Sequence, residues 1–256
     1  MGMTVNSIAN QQMEDAFRKI ATGKRINSAG DDAAGLAIAE KITAQINGLD
    51  QGTDNTYDMK NLVTTAEGGL SVINDSLQRV RELSLQAANG ALNDDDRAKI
   101  QNEISQIMQG ASQIAQSTEF NNKKLLDGSF QNQNTASSPD GTGAIFSIKA
   151  FDSDSLGLSA YDVSSGKIDL SIIDNAISAV NDQRAELGAL ANRFDSTINS
   201  NSISLLNQAA ARSRIADADM AKAVTDYNKS QILNQYQITN MMRQQEQERA
   251  KLTLLG

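Results

Sequence analysis

Any chemistry done by this chain falls to carboxylates, amines, guanidinium groups, hydroxyls and amides, because its 256 residues include no histidine and no cysteine. That removes the commonest general base, the strongest side-chain nucleophile and the usual nitrogen and sulfur metal ligands. Four groupings of the remaining polar residues have a suggestive spacing. Asp94-Asp95-Asp96 could hold a cation, but Asn93 stands just before it, and acids behind an N-cap residue suit the positive end of a helix. Asp152-Ser153-Asp154-Ser155-Leu156-Gly157 has the outline of a calcium loop. It lacks the third oxygen ligand before the glycine and the glutamate that closes such loops. Arg25 and Asp31-Asp32 bracket a turn ahead of a helix, with Asn27 between them. The acids suit the helix start and the arginine can reach a partner, so a capped helix start and a contact between copies of the chain both stay open. Arg79, Glu82, Leu83 and Gln86 fall at i, i+3, i+4 and i+7, one stripe of a helix. None of these is a catalytic set, and the chain reads as a non-enzyme with no cofactor and no metal.

The elements that carry these groups are long helices. The one proline is Pro139, and proline in a helix interior costs about 3 kcal/mol, so two long flanks are free for unbroken helices. From Leu49 through Gly52, Thr56, Met59, Val63, Ala66, Leu70, Ile73, Leu77, Val80 and Ser84 to Ala87 the spacing alternates three and four. That rhythm keeps one seam on a partner helix. Carried back through Ile46, Ile42, Ile38 and Leu36 to Ala33, it predicts a helix over 33–87, roughly 80 Å long. Asn89-Gly90 supplies its stop. A second helix follows Asn93, with Ile100, Ile104, Ile107, Ala111, Ile114 and Thr118 along its seam. Residues 120–165 change character: Ala144–Lys149 alternates as a strand does, and Gln131–Gly143 reads as an exposed polar loop. Helical spacing returns at Ile173, Ile177, Val180, Leu187, Leu190, Phe194, Ile198, Leu205 and Ile215, and Asp217-Ala218-Asp219 marks a restart. The final helix carries Met220, Val224, Tyr227, Ile238 and Met241, with polar Gln231, Asn234 and Gln245 at other core phases. It is expected to bury little alone and to order among copies of itself. The fold class is mainly α: long antiparallel helices forming a coiled-coil-like rod, with a small β-hairpin and loop excursion in the middle.

Composition agrees. The apolar fraction is 39% and the aromatic fraction 4%, which suits thin packed helices better than a thick core. A net charge of -8 and a pI near 4.6 repel phosphate backbones, and no basic cluster with interleaved aromatics offsets this, so nucleic acid is not an expected partner. No apolar run is long enough to span a membrane. The N-terminus lacks the basic and apolar regions of a cleaved signal, so an extracellular life requires another route out.

On local sequence the chain resembles the bacterial flagellins. Gly23-Lys24-Arg25-Ile26-Asn27-Ser28-Ala29-Gly30-Asp31-Asp32-Ala33-Ala34-Gly35-Leu36-Ala37-Ile38 is similar to their N-terminal signature. Further blocks follow in family order: Thr65–Leu70, Leu77–Leu83 with Gln86–Gly90, Thr118–Asn121, Arg184–Ala189, Ser213–Ala221 and the terminal Leu254-Leu255-Gly256.

The resemblance implies a filament subunit that self-polymerises for motility and is exported unfolded through the flagellar type III channel to the cell exterior. It implies an export chaperone, a filament cap and hook-junction proteins as partners. It implies terminal segments at 1–20 and 222–256 that form an inner tube, a helical rod from 21–130 and 166–221, and a short variable region at 131–165. It also implies that Arg79, Glu82, Leu83 and Gln86, with Glu103 on the next helix, form the surface between protofilaments and the one bound by Toll-like receptor 5. Packing of Leu83 on the second helix and pairing of Arg79 with nearby acids are the alternative for that stripe. Set against the resemblance, a shorter N-terminal arm than the family's usual one is expected. A hook-associated junction protein is the alternative function, since Thr22–Ser28 is common to both groups.

Overall fold

The computed structural model describes residues 2–166 and 168–255; Met1, Lys167 and Gly256, the last of the terminal Leu-Leu-Gly block, lie outside the described residues. Five helices and two small antiparallel strand pairs make up the fold: α1 Gly2–Thr22, α2 Ala33–Ala87, α3 Asp94–Ser117, β1 Glu119–Phe120, β2 Lys123–Lys124, β3 Gln133–Asn134, β4 Ile145–Phe146, α4 Leu170–Ala216 and α5 Met220–Leu255. The chain divides into two compact units, Met1–Ile46 with Leu206–Gly256 and Asn47–Leu205, and α2 and α4 run through both.

In the second unit the seam of α2 is the backbone of the core. Every position from Leu49 to Ala87 in the three-four rhythm is buried except Met59, which is half-buried. Asn93 caps α3, its side chain accepting the Asp96 N–H at 2.8 Å, and Ile100, Ile104, Ala111 and Ala115 face inward. α4 adds Ile173, Ala176, Val180, Leu187, Phe194 and Ile198, with Gln183 and Asn201 at polar positions of the same seam. Between β1 and β2, Asn121 and Asn122 adopt φ of 49° and 61°, the left-handed pair that a two-residue hairpin needs and that asparagine tolerates.

The structure corrects three expectations. Ile38 is 52% exposed: the seam of α2 continues through Ile46, Ile42, Ala39 and Gly35, leaving Ile38 one residue out of phase. The polar stretch 131–143 is not a free loop. Thr135 and Ser137 are buried, the Ala136 carbonyl accepts from Asn55 at 3.1 Å and the Ser137 carbonyl from Asn201 at 3.0 Å. Gly48 and Gly52 on α2 make room for it, since a Cβ on Gly48 would press on Pro139 and one on Gly52 would strike the Ser137 carbonyl.

The third correction concerns α5, which packs on α1 within the first unit. Asn234 hydrogen-bonds Asn10, and the Tyr227 and Phe17 rings lie 6.3 Å apart, so the two helices run antiparallel. The covered side of α5 is Ala223, Tyr227, Ser230, Asn234, Gln237 and Met241: Tyr227, Asn234 and Met241 of the expected seam lie on it, whereas Met220, Val224 and Ile238 are exposed. Ala223, Ser230, Asn234 and Gln237 let α1 approach, Tyr227 meets the Phe17 ring, and Met220, Val224 and Ile238 stay outside.

Candidate functional site

The signature block at 23–32 is a joint between two helix ends. The Arg25 N–H donates to the Ala216 carbonyl at 2.7 Å, and its guanidinium places Nε at 3.0 Å and Nη2 at 2.8 Å from the Ile215 carbonyl. Those carbonyls end α4, where no further turn supplies donors. The same Nη2 lies 3.3 Å from Asp32 Oδ2, while Asp32 Oδ1 accepts the Gly35 N–H at 2.8 Å and so caps α2. Asp31 accepts the N–H groups of Asn27 and Ser28, both at 2.9 Å. These backbone donors, Asn27 first, hold its carboxyl below the usual range. The Asn27 side chain closes the turn on the Lys24 carbonyl at 3.1 Å. Gly35 has no room for a side chain between Asp32 and Ile26. The Ala218 N–H returns to the Gly23 carbonyl at 2.9 Å, and Asp219 restarts the chain by capping α5 through the Lys222 N–H at 3.1 Å.

The second cluster joins α2 to α3. Arg79 reaches Glu82 at 3.2 Å and Glu103 at 3.0 Å, and these partners, Glu103 first, raise its pKa further. Arg79, Glu82, Gln86 and Glu103 are exposed. Leu83 is not: it is 2% exposed and belongs to the core. The reason is that α2 is flanked twice here. Arg79 contacts α3 while Arg81 contacts Asp174 of α4 at 2.7 Å, so a second column behind Val80 and Ser84 is enclosed. Leu83 is therefore unavailable as a surface anchor in the folded chain.

Three ion pairs tie α2 to α4: Lys60–Asp195 at 2.6 Å, Glu67–Arg184 at 2.8 Å and Arg81–Asp174. The α2 members stand at multiples of seven residues, a spacing that signals one column facing one partner, and it went unread beside the apolar rhythm. Each is open to solvent, which screens the pair and leaves it a weak contribution to stability. A groove of about 730 Å³ lies between α3 and residues 152–161 and is lined by amides and hydroxyls, among them Gln109, Gln113, Gln116 and Ser112. Among the described residues no cluster of acidic side chains could hold a metal ion, and no helix is long and apolar enough to cross a membrane.

Long helices that meet at a capped joint, with a small hairpin region docked on them, define a mainly helical, elongated-helix class of protein. Two family models match the chain: the bacterial flagellin N-terminal helical region over residues 2–131 and the bacterial flagellin C-terminal helical region over residues 170–255. The chain belongs to the bacterial flagellin family. It is 37% identical to the flagellar filament 30.7 kDa core protein of Treponema maltophilum, across 97% of this chain and 94% of that protein. It is likewise 37% identical to a flagellin of Bacillus subtilis strain 168, across 98% and 93%. The solved Bacillus cereus flagellin shares 28% identity with a TM-score of 0.48, covering 58% of this chain and 88% of that one.

Proposed function

We propose that the chain is the repeating subunit of a bacterial flagellar filament and that copies meet through the outer side of α5. Both family regions and relatives named as flagellins favour this over a hook-associated junction protein. The observation that carries the contact is the exposure of Val224, Ile232, Leu233, Tyr236, Ile238 and Met242, each 40% or more exposed. They are spread round the rest of a helix whose covered side is largely small and polar, with Tyr227 and Met241 as its larger members. A helix apolar on several sides is one that neighbours enclose. Leu233→Asp with Ile238→Asp should leave the single chain helical and abolish sedimentable polymer; normal filaments from the double variant would overturn the contact. Export through the flagellar type III route, assistance by a chaperone, a cap and hook-junction proteins, and an extracellular location belong to the same reading and are supported by the family resemblance.

A second reading concerns the exposed patch of Arg79, Glu82, Gln86 and Glu103, for which we propose a protofilament contact that also serves Toll-like receptor 5. Its support is that arginine and two acids on adjacent helices are fixed by mutual ion pairs and so are preorganised. Arg79→Ala with Glu103→Ala should then lower both receptor reporter activation by monomer and polymer yield. Wild-type values in both assays would remove this reading. Arg25, Asn27, Asp31 and Asp32 are proposed to act within the chain, because their donors and acceptors are engaged there.

A further inference from the structure

The sequence holds two Asn-Gly dipeptides, Asn47-Gly48 and Asn89-Gly90, and the fold treats them differently. Glycine leaves its backbone nitrogen least screened, because no Cβ stands beside it. Asn47-Gly48 lies inside α2, where each N–H is held by the carbonyl four residues back. Gly48 is also covered by Pro139, 2.8 Å from where a Cβ would sit. Asn89-Gly90 lies in the exposed connection between α2 and α3. Among the described residues nothing accepts the Gly90 N–H, and nothing lies within 4 Å of the Cβ position. The Ala91 N–H donates to Asn89 Oδ1 at 3.0 Å, which turns the carboxamide back along its own chain and polarises its carbonyl. The Arg97 guanidinium lies 3.4 Å from the Asn89 main-chain oxygen, placing positive charge where an anionic nitrogen must form.

We propose that Asn89 is a site of spontaneous deamidation in the folded protein, whereas Asn47 is protected. Hydroxide removes the Gly90 N–H proton, and the nitrogen attacks Asn89 Cγ. The new C–N bond closes a succinimide ring as the Cγ–NH2 bond breaks, and the amine leaves as ammonia with a proton from water. Water then opens the ring at either carbonyl, giving aspartate or isoaspartate; one water is consumed, one ammonia is released, and nothing is oxidised or reduced. The product places a carboxylate within reach of Arg97, and the isoaspartate form adds one atom to the main chain between α2 and α3. This chemistry is independent of the filament reading.

The test uses the purified full chain, held at mildly alkaline pH and physiological temperature and sampled over time. Tryptic peptides Glu82–Arg97 and Ile42–Lys60 carry the two sites; tandem mass spectrometry locates the amide-to-acid mass gain, and an isoaspartyl methyltransferase counts the β-linked form. Asn89 should convert while Asn47 does not, and the two rates should converge in urea. Gly90→Ala should slow conversion by roughly an order of magnitude with unchanged circular dichroism. Equal rates at both sites in the folded chain, no conversion at Asn89, or an undiminished rate in Gly90→Ala would each overturn the proposal.

Discussion

An aspartate placed two residues ahead of a serine or threonine closes a turn four times between α3 and α4. Asp127 accepts from Ser129, Asp140 from Thr142, Asp162 from Ser164 and Asp169 from Ser171, each through both the hydroxyl and the backbone N–H. Those bonds favour the ionised form and hold all four carboxyls below their usual range; for Asp127, Asp140 and Asp169 the hydroxyl is the larger cause, and for Asp162 the backbone N–H. A folded pKa below the unfolded one means that the unfolded chain binds the proton more readily. The stabilisation is therefore complete above the unfolded value near 3.9 and is lost as pH falls through the lower folded values. With no histidine in the sequence, no side chain has its ordinary pKa between about 5 and 8. The melting midpoint of the monomer should thus be flat across that range and drop below about pH 4. A midpoint that falls steadily from neutrality to about pH 5 would contradict this account.

At the scale of elements, α2 changes neighbours along its length, and that decides what its sequence reveals. The three-four rhythm from Leu49 to Ala87 was legible because every apolar residue in it but the half-buried Met59 is buried. Leu83 falls outside that rhythm and is buried all the same, since two helices flank α2 there and a single period describes only one column. Leu83→Ala should cost about 2–5 kcal/mol by lost transfer energy and a cavity. Leu85→Ala, at a side chain 58% exposed, should stay within about 0.5 kcal/mol. Equal shifts in monomer melting would show the two columns to be misassigned. The segment 135–139 was illegible for a different reason. Its polar residues imitate a free loop, yet it is held by asparagine side chains on its carbonyls and by backbone laid against Gly48 and Gly52. Glycines four apart on a helix were the visible sign, but they suggest close approach without naming what approaches.

Over the whole molecule, the order of helices, the break at Asp217–Asp219 and the cap at Asn93 could be read from spacing and capping residues alone. The phase of α5 could not, because the side laid on α1 includes Ser230, Asn234 and Gln237, while Val224, Ile232 and Ile238 are exposed. The joint at 23–32 was visible as a helix start, but its other half lies at 213–219 and gives no sign in the sequence of where it docks. That separation has a consequence in time. The hydrogen bonds from Arg25 to Ile215 bridge 190 residues, and closing so long a loop comes late, after local helices have formed. When a chain is made or threaded from its N-terminus, residues 23–32 wait with α2 begun and the acceptors of Arg25 absent. The joint closes only when the end of α4 arrives, so its closure reports that the chain has reached that point, and one cut short before residue 213 keeps this corner open however well the rest has folded.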